Sequence, residues 1–486
     1  MYLGIDLGTS SVKLLLMDKK GIVKKTVSKD YPITYLNDNW AEQNPEDWWN
    51  ATFEGIKNIL KDEQRDSLNG ISFSGQMHGL VILDENDEVI RPAILWCDQR
   101  TEEECKELNS LEWLYDVTGN QALTGFTAPK ILWIKKNEPN NFKKIKKIML
   151  PKDYIAYKLS GVHGIDVSDA SGTLMLNVEK REWSKEIIEF LDIDEKCLGK
   201  VFESYEVIGK IKESLANQLE VSKKVNIVIG GGDQAVGAVG VGAIKEGIIS
   251  LALGTSGVIF SPSERYLRDE DCRLHSFCDS TGKYHQMGVI LSASGAFKWW
   301  VEEVNSSKDY IEFNKMADEI KAGSEGLYFL PYLIGERTPH NDASAKGSFI
   351  GLSLNHGKNH MTRSVMEGVA YALRDSFELL KEMGIGCEKI RVSGGGAKSQ
   401  VWKQIFADVL NKDIITINTS EGPALGAAIL ASVGSGEYKS VEEACQKIIK
   451  EVEVTKPLLE NVKIYEKNYG IFKEIYPALK NIYKKL

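Results

Sequence analysis

At 486 residues the chain exceeds one ordinary core and has room for two domains. An apolar fraction of 43% and a charged fraction of 27% fit a globular protein in water. A net charge of −9 argues against a basic nucleic-acid-binding face. No run of about 18 apolar residues offers a membrane span. The start MYLGIDLG shows neither a basic n-region nor a cleavage site, so a cytoplasmic protein is expected. Seven cysteines without a CxxC pair fit reduced structural thiols better than a zinc site.

In chain order, residues 2–35 alternate short apolar runs with turns, the pattern of an antiparallel three-strand meander. The first turn carries Leu7-Gly8-Thr9-Ser10. Residues 44–60 read as a capped helix, with Pro45 first and Glu46 and Asp47 in the first turn. GISFSGQMHGLVILDENDEVI gives a strand, a Gly-rich turn and a second strand. Helical patterns follow around 101–117 and 127–137. The basic run FKKIKKIML (142–150) leads into a strand with a solvated edge. KVNIVIGGGDQAVGAVGVGA (224–243) reads as a buried strand, a triple-glycine turn and a small-residue helix. Then LGTS recurs at Leu253-Gly254-Thr255-Ser256, about half a chain after its first copy. A boundary near 243–248 gives domains of residues 1–245 and 246–486. In the second half, KIRVSGGGAKSQVWKQIFADVLN reads as strand, glycine turn and helix, and EGPALGAAILASVG as a small-residue helix. The Lys- and Glu-rich segment 439–486 reads as packing helices.

A duplicated strand–Gly-Thr–strand unit implies two related halves. Each turn offers backbone N–H groups and a hydroxyl to phosphate oxygens. Asp6 precedes the first turn, where a carboxylate beside phosphates suits Mg²⁺; the second copy has Ala252 there. Lys13 reaches a phosphate or is a surface strand lysine. Asp233 follows GGG at a helix N-terminus, which should depress its pKa. It is either the helix N-cap or a carboxylate that takes the proton of an attacking alcohol. Met77 and His78 lie in a Gly-flanked turn, where the histidine is structural or donates to a sugar hydroxyl. Asp98 and Arg100 form an ion pair or contact a polyol. SGGGAKS (393–399) lets a planar base or ribose approach the backbone, but it matches neither GxGxxG nor the Walker pattern.

MYLGIDLGTSSVKLLLMD, SGQMHG, GGGDQAVGAVGVGA, LGTSGV, GERTPHNDASAKGSFIGLSLNH and SGGGAKSQVWKQIFADVLN together resemble the FGGY carbohydrate kinases. GFTAPKILWIKKN (125–137) and GSFIGLSLNHGKNHMTRSVME (347–367) are similar to the family's two signatures. The likeness runs in order through nearly the whole chain. It is nearest the xylulokinase branch, through GQMHG, LWCDQR and GERTPHNDASAKG.

The resemblance implies an α/β fold of two actin-like, ribonuclease H-type domains with a nucleotide and sugar cleft between them. Residues 1–245 would carry sugar binding, the first phosphate loop and the catalytic aspartate. Residues 246–486 would carry the second phosphate loop, adenine-nucleotide binding and the C-terminal helices. It implies ATP-dependent phosphorylation of the 5-hydroxyl of D-xylulose, a step of xylose catabolism, with ATP and Mg²⁺. By the same resemblance Asp233 is the general base, and Asp6 lies near the metal and the transferring phosphoryl group. Asp6 and Asp233 are the metal-side carboxylates. Met77, His78, Asp233 and Gln234 bind the sugar. Gly8, Thr9, Ser10 and Lys13 form the first phosphate loop, and Gly254 and Thr255 the second. Gly295, Lys298, Gly395, Gly396 and Gln400 line the nucleotide site. Relatives are often homodimers. Xylulokinases usually have Asn where this chain has Gln234, and Gln resembles the glycerol kinases; it reaches about one methylene farther. Other ketoses or polyols (L-xylulose, ribulose, glycerol) are the alternative substrates. A non-catalytic actin-like ATP switch is the remote alternative.

Overall fold

Three antiparallel strands open the chain, as the alternation predicts: β1 (Tyr2–Leu7), β2 (Ser11–Met17) and β3 (Val23–Asp30). On the other side of β1 lie two strands parallel to it in series, β4 (Gly70–Gly75) and β6 (Asn226–Val228). An antiparallel edge strand, β5 (Val207–Lys210), completes the order β5-β6-β4-β1-β2-β3. The computed structural model describes residues 1–37 and 39–486. This sheet belongs to a first unit made of residues 1–244, 276–284 and 421–449.

The second unit comprises residues 245–275, 285–420 and 450–486. Its sheet repeats the plan with β7 (Gly247–Leu253), β8 (Gly257–Ser263), β9 (Tyr284–Ile290), β10 (Cys387–Ser393) and β11 (Ile414–Ile417). The order β9-β8-β7-β10-β11 matches β3-β2-β1-β4-β6. Again the first and second strands are antiparallel, and the first, fourth and fifth are parallel. Both halves therefore share one sheet plan, as the repeated LGTS implied, and it is the ribonuclease H-type sheet that the family resemblance implied.

The two LGTS turns are not copies in geometry. In the first, Leu7 faces Val12. In the second, Leu253 faces Gly257, so the loop is one residue shorter. A one-residue change of register moves the following side chains to the opposite face.

The helix Pro45–Ile59 begins where the sequence places it. The Asn44 side chain accepts from Glu46 N at 3.1 Å, and Pro45 occupies the first turn. The helices Asp233–Val241 and Gly422–Gly434 are small-residue helices because they touch backbone to backbone. A Cβ on Gly426 would overlap the Val236 carbonyl, and one on Gly240 would overlap that of Gly422. Two expectations are corrected. The stretch 101–117 is two helices, Glu102–Asn109 and Leu114–Thr118. Within 439–486, β12 (Glu451–Thr455) is an antiparallel edge strand on β11 rather than a helix. Its EVEVT alternation is the period-2 signal, and Lys389 and Lys403 pair with Glu451 and Glu453 at 2.5 and 2.6 Å.

Each unit has its own core. Trp48, Phe73 and Ile5 are fully buried in the first; Phe406, Phe313 and Tyr465 in the second. Burying one such side chain contributes about 1.5–3 kcal/mol.

Candidate active site

Asp6 lies on β1 opposite Lys13 of β2 and Ser74 of β4. After β6 the chain turns at Gly230, whose φ of +72° and contact with the Phe73 backbone exclude a side chain. Gly231 and Gly232 then run beside Ser74 and Gly75, and Asp233 begins the helix. Asp6 and Asp233 thus sit at the carboxyl ends of parallel strands, the edge where open α/β sheets bind ligands. Gly232 takes the N-cap position without a side-chain cap. The N-cap role therefore falls to Gly232 and not to the Asp233 carboxyl.

Burial pushes the Asp6 carboxyl up to about 6, against the opposing pull of Ser74 and Lys13. Asp233 is pushed up to about 7, first by burial and then by the charge of Asp6; hydrogen bonding from Gln234 opposes this. This corrects the expectation of a depressed pKa: desolvation and a like charge outweigh the helix end. Lys13 Nζ lies 2.7 Å from Glu421, with its side chain 41% exposed.

The first loop is held by its carbonyl oxygens and a hydroxyl. Tyr31 donates to Gly8 O, Gln43 Nε2 to Thr9 O at 2.7 Å, and Gln76 Nε2 to Gly8 O at 3.4 Å. Trp96 Nε1 donates to Thr9 Oγ1 at 3.0 Å. Sequence reasoning missed Tyr31, Gln43 and Trp96, which sit outside the glycine motifs. Gln76 lay within SGQMHG but was not singled out.

Met77 is buried, and His78 has a positive φ of 67°. Its Nδ1 lies 2.7 Å from Gly172 O. A carbonyl only accepts, so Nδ1 donates to Gly172 O. Phe126 packs edge-on at 4.6 Å between ring centroids. Lys130 donates to His78 O at 2.9 Å and Gly125 O at 2.8 Å, with its pKa brought down to about 7 by burial. This lysine was also missed; the signal was its place in GFTAPK. Asp98 and Arg100 form the ion pair, 2.7 Å apart, with Arg100 over the Trp40 ring.

Behind the glycine turn, Lys152 Nζ is buried 3.0 Å from Asp166 and 3.2 Å from Asp169, and also pairs with Asp153. Ser168 Oγ accepts from Gly232 N at 3.0 Å, tying this cluster to the turn that carries Asp233.

In the second unit the Thr255 carbonyl accepts from Ala293 N at 2.8 Å and Gly295 N at 3.0 Å; Ser294 N donates to Gly254 O. A cavity of about 510 Å³ opens beside this loop, lined by Thr255, Gly295, Lys298, Gly395, Gly396 and Trp402. Phe297 and Tyr310 add ring faces. Gln400 does not line it; its amide donates to Thr455 Oγ1 at 3.4 Å.

Residues 1–240 match the model of the N-terminal domain of the FGGY family of carbohydrate kinases, and residues 249–435 that of its C-terminal domain. The chain belongs to the FGGY family of carbohydrate kinases. A xylulose kinase of Bacillus subtilis is 38% identical over 99% of this chain and 97% of that protein. The crystal structure of a ligand-bound xylulose kinase from Lactobacillus acidophilus superposes with a TM-score of 0.95, at 29% identity, covering 99% of each chain. A gluconate kinase from the same organism gives the same TM-score, identity and coverage. No helix among the described residues of this FGGY kinase is long and apolar enough to cross a membrane.

Proposed function

We propose that this FGGY kinase transfers the γ-phosphoryl group of ATP to the 5-hydroxyl of D-xylulose. The observation that carries the reading is the pair of raised carboxyl groups, Asp6 and Asp233, at the strand ends beside a Gly-Thr loop and a histidine-bearing turn. A base near neutral pH is matched to proton transfer from an alcohol. Asp233 takes the hydroxyl proton as the new P–O bond forms. His78 hydrogen-bonds a sugar hydroxyl, and Met77 packs on the carbon skeleton. Gln234 follows Asp233 and reaches the same sugar with its amide.

Asp6 and Asp233 also offer the hard oxygen donors that Mg²⁺ takes, one or two carboxylates with the rest of its shell from phosphates and water. Among the described residues no three His, Cys, Asp or Glu side chains form a cage for a metal, which suits an ion carried in with the nucleotide. Bound there, Mg²⁺ would neutralise phosphate charge. In the second unit the Gly254–Thr255 loop offers N–H groups to phosphate; in the first, Gly8 N donates to Ser11 O, which leaves Thr9 and Ser10 to do so. The ring-lined cavity of the second unit suits adenine, with Gly395 and Gly396 leaving room at the ribose.

The names of the relatives favour xylulose. The test is ADP release with D-xylulose, L-xylulose, ribulose, glycerol and gluconate compared at equal concentration. D-xylulose should give the highest kcat/KM; a higher value with any other sugar overturns the choice of substrate.

A further inference from the structure

Arg337, in GERTPHN, forms no ion pair, and its guanidinium no hydrogen bond, among the described residues. The nearest carboxyl, Glu336, is no counter-ion at neutral pH, since burial pushes it up to about 8. Arginine stays charged throughout this range. A largely desolvated charge without a partner is unfavourable, which points to a ligand anion as the missing partner. Arg337 as a whole residue is only half-buried, at the edge of the core.

The backbone here is fixed next to the second LGTS loop. Glu336 Oε1 accepts from Leu291 N at 2.9 Å and from Arg337 N at 2.7 Å. Thr338 N donates to Val289 O, and Val289 N to Thr338 Oγ1. Leu291 lies two residues, at most about 7 Å of chain, before Ala293. Ala293 N in turn donates to Thr255 O. Other cations near the loops are differently placed. Lys13 is paired with Glu421, and Lys298 is 65% exposed near Glu302.

We propose that Arg337 binds the phosphate chain of the nucleotide held on the second loop, its planar fork matching two phosphate oxygens. This rests on the kinase reading above. It adds a side-chain cation to a phosphate site otherwise built from backbone N–H groups and hydroxyls.

The test measures ATP and adenosine affinities of the full chain by calorimetry without sugar, for the wild type, Arg337→Ala and Arg337→Lys. Arg337→Ala should weaken ATP about tenfold or more and leave adenosine within about twofold. Arg337→Lys, which keeps the charge but not the fork, should fall between. Unchanged ATP affinity in both variants overturns the proposal, as does an equal loss for ATP and adenosine. Wild-type sugar-dependent ADP release is assayed separately. Its absence alongside the expected affinity pattern would sink the sugar-kinase reading and leave the role of Arg337 standing.

Discussion

The charge of Asp6 raises the proton affinity of Asp233: the two carboxyls sit at about 6 and about 7. Like charge adds to burial in holding the proton on Asp233, whereas burial dominates at Asp6. A cation brought in beside them favours the charged form of both.

Removing the base should separate binding from chemistry. Asp233→Ala is expected to bind ATP within about threefold of wild type and to lose about 10²–10⁴-fold in kcat. Single-turnover phosphotransfer near the wild-type rate would remove Asp233 from the mechanism.

The pH profile follows from the same residue. Asp233 acts deprotonated, so kcat/KM should fall about tenfold per pH unit on the acid side of about pH 7. A profile flat down to pH 5 contradicts this assignment.

Both carboxyls also shape stability. Their folded pKa values lie above the unfolded value of about 3.9. The folded state therefore holds more protons between about pH 4 and 7, and stability declines as pH rises through that window. Asp6→Asn should raise the ligand-free melting temperature more at pH 8 than at pH 5, while lowering activity. An equal shift at both pH values would mean that Asp6 is not electrostatically strained.

Lys130 is expected to matter for sugar affinity through the His78 turn. Lys130→Met leaves the His78 and Gly125 carbonyls without this donor. His78 O keeps Thr127 Oγ1 at 3.1 Å, whereas the loss at Gly125 O costs about 1–3 kcal/mol. The variant should show a lower melting temperature and a raised KM for sugar, with KM for ATP unchanged. Equal rises in both KM values would indicate a general loss of structure.

Gly426→Ala tests the backbone contact between the two small-residue helices. Its Cβ would meet the Val236 carbonyl, so the helices must separate, at about 1–3 kcal/mol. Urea unfolding should show the loss; a variant as stable as wild type would mean that the helices part freely.

Much of this was legible in the chain because local signals agreed. Pro45 with Asn44 marked a helix start, and the alternation of residues 2–17 marked paired strands. The repeated LGTS announced two related sheets. What stayed hidden depends on residues distant in sequence. The Glu-rich composition of 451–455 masked an edge strand whose outward glutamates pair with lysines on neighbouring elements. The direction of the Asp233 shift could not follow from its helix position, because Asp6 and the burial around both come from another strand. Trp96 and Gln43 reach the first loop only after folding.

The helix Gly422–Gly434, packed against β1, β4 and Asp233–Val241, is made from chain that follows almost all of the second unit. During synthesis the first unit emerges early yet lacks this helix until nearly nine-tenths of the chain has left the ribosome. A nascent first unit thus presents the backbone groove at Gly4, Val236 and Gly240 uncovered while the second unit is being made. The unit translated first is thus closed only after most of the second has been made.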